Sequence, residues 1–343
     1  MKLRLFLPLV AALVALPILA ASAASLPQRP AAIRGAEFIR TTQQSDGGFG
    51  GFGPGQSMDA IYAIRAAGFD PNTFVNSGNS PADYLVGIAG EATSAGSAAK
   101  GAVAARALGL DPRDVGGVDF VAVVEAALNT ETGAYAEDVF THALVVISLN
   151  QVGAPASSLA IRHLREAQLP DGGWGFGDSS DADTTALAIQ ALATAGKTIA
   201  DPDVAEGIAY LKTTQGQDGG WGFDPAESNT SSTAFAVQAL LAAGEDPAAY
   251  EVNGVDPIDY LLASQQSDGS FPGFDPAFAT NQVVPALAGR TFASAVDTPI
   301  AAVVPGPPNT GTGLAPAERG VPGLAIGLLV VALVAFVASR RRT

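Results

Sequence analysis

Cysteine is absent from all 343 residues. That excludes disulfides, thiol nucleophiles and every cysteine-ligated metal site. Histidine is nearly absent as well, with only His142 and His163. Zinc needs about four good ligands, or three and a water, and these residues do not supply them. Basic residues number 18 against 33 acids. Five of the 18 (Lys2, Arg4 and Arg340–Arg342) lie in the end segments, leaving 13 and a net charge of −20 between them. Such a surface disfavours nucleic acid and anionic lipid heads, and it keeps an exposed domain soluble. Long alternating runs of polar and apolar residues are also missing, so there is no case for a sheet.

The two ends carry what apolar continuity there is. Met1–Ala23 has Lys2 and Arg4, an apolar run over 5–20 and the small residues Ala21-Ser22-Ala23. This predicts a secretory signal peptide over 1–23. Val321–Ala338 is an uncharged run of 18 residues followed by Arg340–Arg342. As a helix it is about 27 Å long, enough to cross a bilayer core. The reading is a transmembrane helix over 321–339 with a basic cytoplasmic tail, 340–343. Residues 297–320 hold five prolines and no helical period, as expected of an extended stalk. Within the stalk, Pro307-Pro308-Asn309-Thr310-Gly311 resembles a sortase-type sorting signal. Such signals read LPXTG, and Pro307 stands where Leu belongs. The domain between is therefore expected outside the membrane, at the cell surface. Without disulfides it must be held by its core, for which about 270 residues are ample.

Between the ends the chain repeats itself. Tyr210-Leu211…Gln215…Gly219…Trp221 has the same spacing as His163-Leu164…Gln168…Gly172…Trp174. Phe38-Ile39…Gln43…Gly47…Phe49 and Tyr260-Leu261…Gln265…Gly269…Phe271 follow it too. Self-similarity of this kind means that each unit buries its apolar face against its neighbours. Six helical hairpins fill residues 30–296: 35–42 with 56–67, 81–91 with 98–108, 118–129 with 137–150, 157–167 with 184–195, 204–213 with 232–243, and 257–264 with 281–292. Pro285 interrupts the last of these helices. The second helices are small and apolar and suit an inner ring; the first carry more charge and suit an outer one. Gln43, Gln168, Gln215 and Gln265 are expected to brace the turns, and Trp174, Trp221 and Phe271 to pack between units.

This aromatic–aliphatic–xxx–Gln–xxx–Gly–x–Trp/Phe unit resembles the QW repeat of the prenyltransferase and squalene-cyclase superfamily. The resemblance implies an all-α fold, an α/α toroid. That superfamily includes terpene cyclases, protein prenyltransferase β-subunits and the cobalamin-binding domain of intrinsic factor and transcobalamin. One fold with several chemistries means that function must be argued from a site.

Three functions compete. Protein prenyltransferases hold zinc with Asp, Cys and His, and the residues that would do so are lacking. Class II terpene cyclases protonate an alkene or epoxide with the central Asp of a DXDD motif. Asp181-Ala182-Asp183-Thr184 stands at the start of the fourth inner helix, with Asp183 in the donor's place and Thr184 for the last Asp. The resemblance also implies a second helical domain enclosing the substrate, and one domain is present. Few inner-helix aromatics are available to stabilise a carbocation: Tyr62, Phe140 and Phe235. Asp181 and Asp183 also suit helix capping, or contact with a ligand. Asp178, Asp181 and Asp183 together are a minor candidate for calcium.

The reading these observations favour is non-enzymatic capture of a small molecule at the toroid's mouth, or of a partner protein. A cobalamin-like cofactor is the sharpest guess for the ligand, with Asp178, Asp181, Asp183, Thr184, Phe235 and Tyr62 as contacts. A separate β-domain or a transporter would then be the partner. The alternatives are a terpene cyclase using Asp183 as general acid, and a purely structural or adhesive surface protein.

Overall fold

The computed structural model describes residues 28–225 and 227–300. The signal peptide, most of the stalk with Thr310 and Gly311, the membrane helix and the basic tail lie outside the described residues. Among the described residues no helix is long and apolar enough to cross a membrane.

Twelve α-helices alternate between two layers. The outer layer is α1 (Gln28–Thr41), α3 (Pro81–Ile88), α5 (Phe120–Ala126), α7 (Ser158–Glu166), α9 (Pro202–Thr214) and α11 (Pro257–Ser264). The inner layer is α2 (Pro54–Ala66), α4 (Ala95–Ala107), α6 (Val139–Gln151), α8 (Ala182–Thr194), α10 (Thr230–Ala243) and α12 (Pro276–Leu287). Each inner helix packs on the next, and α12 packs back on α2, so the ring is closed. This is an α/α toroid.

All inner helices but α2 start where a side chain satisfies the free amides of their first turn. Asp138, Asp181, Asn229 and Asp275 accept from the backbone N–H of Thr141, Thr184, Ser232 and Phe278 at 2.7–2.9 Å. Each cap is worth about 1 kcal/mol. They stop at glycine: Gly244, at φ 83°, ends α10 in the left-handed conformation that a side chain would disfavour. Helix α12 runs through Pro285, which stands in its last turn, and the helix ends two residues later. It also begins at Pro276, five residues before the predicted start, because Asp275 caps it.

Most outer helices lie chiefly against the inner helix of the preceding hairpin, not against the one they lead into: α5 on α4, α7 on α6, α9 on α8, α11 on α10. Helix α1 accordingly packs on α12, which closes the outer layer. The glutamines make this register explicit. Gln168 Nε2 donates to Gly172 O across its own turn at 2.8 Å, and to Asp203 O at the start of the next outer helix at 2.9 Å. Gln215 makes the same two bonds to Gly219 O and Tyr250 O, both 2.8 Å. Gln43 reaches Gly47 O and Phe74 O, and Gln265 reaches Gly269 O and Ala31 O. The last of these joins the sixth unit to the first.

The repeat glycine is required at this joint. Gly219 has φ 83°, and a Cβ there would stand 2.5 Å from Val255 O. The turn can approach the next unit only with hydrogen at that position. Trp174 and Trp221 are completely buried, and their indole N–H groups donate to Leu164 O and Leu211 O at 2.8 and 2.7 Å.

Two features lie outside the helical expectation. Residues Trp174–Phe176 and Ser179–Asp181 pair as a short antiparallel ribbon, β1 and β2, which delivers Asp181 to the start of α8. Residues after α12 fold back into the ring. Tyr62 packs on Phe292 with ring centroids 4.7 Å apart and donates from Oη to Gln238 Oε1 at 3.2 Å. The Phe292 N–H donates to Gln190 Oε1 at 2.9 Å, and Gln151 Nε2 donates to the Phe292 carbonyl. Three inner helices thus hold Phe292 as a plug, and a fourth, α10, braces Tyr62 through Gln238. Beside it, Arg106, Asn150, Gln151, Gly153 and Asp297 line an open depression of about 420 Å³.

Candidate active site

Above the plug, the opening turns of α6, α8 and α10 converge. Phe140 on α6 and Phe235 on α10 meet edge to face, with centroids 6.2 Å apart. Helices α6 and α10 flank α8 on either side, so rings that meet must do so in front of α8, inside the lumen. Both rings are partly exposed although the helices around them form a closed ring. The mouth of the ring is therefore accessible at these two side chains.

Asp181 and Asp183 sit two residues apart and do different things. Asp181 is the cap of α8: its Oδ1 accepts from Thr184 N at 2.7 Å and its Oδ2 from Thr184 Oγ1 at 2.8 Å. Both acceptor atoms are used on the helix, and Thr184, fully buried, is used up with them. Burial raises the Asp181 carboxyl above its ordinary range, while the Thr184 bonds pull it back.

Asp183 caps nothing. Its Oδ1 is buried without a hydrogen-bond partner, while the side chain as a whole keeps some exposure. Burial, and then the charge of Asp181, push Asp183 up to about 7, against a smaller opposing pull from the Ser232 hydroxyl on α10. Burial thus favours the protonated form of this side chain. Ser232 stands one turn before Phe235, so acid, hydroxyl and aromatic pair form one cluster.

The other predicted contacts are not brought together. Asp178 is exposed in the β1–β2 turn. Tyr62 is buried against the plug, below the mouth. Among the described residues no group of three or more His, Asp or Glu is placed to hold a metal ion. The calcium arrangement of Asp178, Asp181 and Asp183 is thus ruled out: the first points to solvent and the second is spent on capping. His142 is a buried structural residue. Its Nδ1 accepts from Tyr135 N at 3.2 Å and its Nε2 donates to Ala160 O at 3.0 Å, so the ring is neutral, and burial lowers it to about 4.

The sequence reading missed one group of residues. Thr185 Oγ1, Thr233 Oγ1, Thr280 Oγ1 and Ser57 Oγ accept the backbone N–H of Trp174, Trp221, Phe271 and Phe49 at 2.9–3.0 Å. His142 plays that part for Tyr135. The signal was present as a hydroxyl eight to twelve residues after each repeat aromatic, but the varying loop length hides it.

Residues 125–281 match the family model of the squalene-hopene cyclase C-terminal domain. No curated protein matches the chain by sequence. Among solved structures, a variant of the type II terpene cyclase MstE from Scytonema in complex with geranylgeranyl dihydroxybenzoate, its substrate, is similar at TM-score 0.57 and 17% identity, over 79% of this chain and 98% of that one. Another variant in complex with merosterolic acid A, the product, gives TM-score 0.56 and 18% identity over 78% and 97%. The fold is thus that of the prenyltransferase and squalene-cyclase superfamily.

These findings correct the favoured functional reading. The matching family model and the MstE structures are of cyclases, which favours the cyclase alternative over capture of a cobalamin-like ligand. The objection that a cyclase needs a second helical domain also falls, because this chain spans 97–98% of the MstE structures. Capping, expected of both acids, holds for Asp181 and fails for Asp183.

Proposed function

We propose that the chain is a type II terpene cyclase-like enzyme in which Asp183 is the general acid. The observation that carries this is the state of Asp183: raised to about 7 by burial and the Asp181 charge, with Oδ1 buried and unpartnered, beside Ser232 on α10.

The step needs an acid that is loaded before the substrate arrives. The Asp183 O–H transfers its proton to one carbon of an alkene, whose π electrons form the new C–H bond. The neighbouring carbon becomes a tertiary cation and Asp183 becomes a carboxylate. The Ser232 hydroxyl is placed to stabilise that carboxylate, which favours transfer. Each further C=C of the chain attacks the cation before it, forming a ring bond and moving the charge along. The electron-rich faces of Phe140 and Phe235 stabilise the cation by about 1–2 kcal/mol each in this desolvated setting. Loss of a proton from the last cation ends the sequence.

The test is full-length protein in detergent, incubated with squalene and with geranylgeraniol, and products read by mass spectrometry. Cyclised isomers are expected, with Asp183→Asn slower by about 100-fold or more at unchanged helical content. A folded wild type that leaves both substrates intact would count against the reading. Export and tethering through residues 321–339 belong to the same proposal and are supported by sequence alone; the protein should then fractionate with membranes.

A further inference from the structure

Helices α8 and α10 open on the same plan, with one difference of chemistry. In each, a cap residue accepts the backbone N–H of the third helical residue, and that residue carries a hydroxyl: Asp181 with Thr184, Asn229 with Ser232. Both hydroxyl residues are buried. A carboxylate cap offers only acceptors, so the Thr184 hydroxyl donates back to Asp181, to Oδ2 at 2.8 Å. Asn229 is a carboxamide. Its Oδ1 takes the Ser232 N–H at 2.9 Å, which fixes the other atom as Nδ2, and Nδ2 donates to Ser232 Oγ at 3.1 Å. The direction of the bond is reversed. The single hydroxyl proton of Ser232 cannot point back at its cap and is left for a neighbour.

The acceptor within reach is Asp183 on α8, whose carboxyl bonds to that hydroxyl. Asp183 Oδ1 has no partner, so the bond falls to Oδ2. Oδ2 is then held, and Oδ1 is left as the oxygen that can give up a proton. Asn229 is the one carboxamide among the caps of the inner helices; the others are Ser94, Asp138, Asp181 and Asp275. Its backbone N–H donates to Trp221 O at 2.8 Å, so the repeat turn fixes its place. For capping alone Asn and Asp serve equally. What separates them here is where the Ser232 proton goes.

We infer that Asn229 is a positioning residue for the general acid: its carboxamide turns the Ser232 hydroxyl away from the cap of α10 and onto Asp183, where it stabilises the carboxylate left by proton transfer. The inference rests on the cyclase reading of Asp183. A hydrogen bond donated to the charged form makes a carboxyl the stronger acid and offsets part of what burial does. Asp181 is the one charge that acts on Asp183. Helix α10 brings no titratable side chain, and His142 of α6 is turned to Tyr135 and Ala160. On α9, Tyr210 lies by Asp181, Asp203 pairs with Arg165, and Glu206 and Lys212 are exposed.

The experiment is an infrared pH titration of the full-length protein in detergent, with the Asp183 carboxyl band identified by its loss in Asp183→Asn. The wild-type midpoint is expected at about 7. Ser232→Ala should raise it by about one pH unit, the worth of a hydrogen bond to a charged group. Ser232→Thr, which keeps the hydroxyl, should leave it in place. Asn229→Asp keeps the cap but lets the hydroxyl donate back to it, as Thr184 does, and should raise the midpoint at least as far. Its new charge adds to that rise, and the double variant separates the two effects. With the hydroxyl already gone, Asn229→Asp acts through charge alone, so the combined shift should fall short of the sum by about one unit. Additive shifts overturn the role of Asn229, and a Ser232→Ala midpoint at the wild-type value overturns the inference as a whole. Turnover of squalene and geranylgeraniol is read separately. Shifted midpoints without cyclised product leave the positioning standing and sink the cyclase reading; cyclisation with unshifted midpoints does the reverse.

Discussion

At the scale of single residues, Asp183 and His142 make opposite demands on the proton. Asp183 holds its proton more tightly folded than unfolded, its value rising from 3.8 to about 7. Its contribution to stability is therefore lost as pH rises through that range. His142 is held neutral, lowered from 6.5 to about 4. The folded state binds fewer protons there than the unfolded one, so its contribution is lost as pH falls from 6.5 toward 4. Asp183→Asn is thus expected to stabilise the protein at pH 8 by roughly 2 to 4 kcal/mol and to change little at pH 4, measured by urea unfolding. A capping Asp would show no such gain. His142→Thr, which installs the hydroxyl used by the other units, should flatten the loss of stability between pH 6.5 and 4. An unchanged acid limb would show that His142 is not its source.

At the scale of elements, the repeat turn is the joint on which the toroid is assembled. Gln215 ties its own turn to the next unit through two bonds, so Gln215→Ala leaves two carbonyls without their donor. The expected cost is about 2–3 kcal/mol in chemical denaturation. An effect near zero would mean that Trp221 packing alone sets the register. How much of this could be read from sequence follows from its causes. Hairpin positions were legible because Gly244 and its equivalents stop helices by backbone geometry alone. The Gln and Trp spacing was legible because every unit repeats it. The partner of each glutamine was not, since it is a backbone carbonyl and carries no side-chain signature: Asp203 stands in the first turn of an outer helix and Tyr250 in the connection before one. The same holds for which inner helix an outer helix covers. The state of Asp183 was hidden for a related reason: Asp181 and Asp183 look alike as helix-start acids. Only the ribbon β1–β2, too short to show as a pattern, decides which of them caps.

At the scale of the whole molecule, a closed ring leaves a lumen, and what fills it decides what the fold can do. Its lower part is taken by Phe292 and held by Tyr62, Gln151, Gln190 and Gln238. Phe292→Ala removes that plug and is expected to cost about 3 kcal/mol of stability, read as a lowered unfolding midpoint. A midpoint within 0.5 kcal/mol of wild type would show that the segment merely rests on the ring. The upper part holds Asp183, the acid proposed to start a cation cascade there. The most direct measurement is turnover of an uncharged polyprenoid in D2O by the full-length protein, with the product examined by mass spectrometry and NMR. Proton delivery by a solvent-exchanged Asp183 predicts a cyclised product with one deuterium at the carbon where ring closure begins, and none from Asp183→Asn. A cyclised product without deuterium at that carbon, or equal labelling by the Asn variant, would contradict the account.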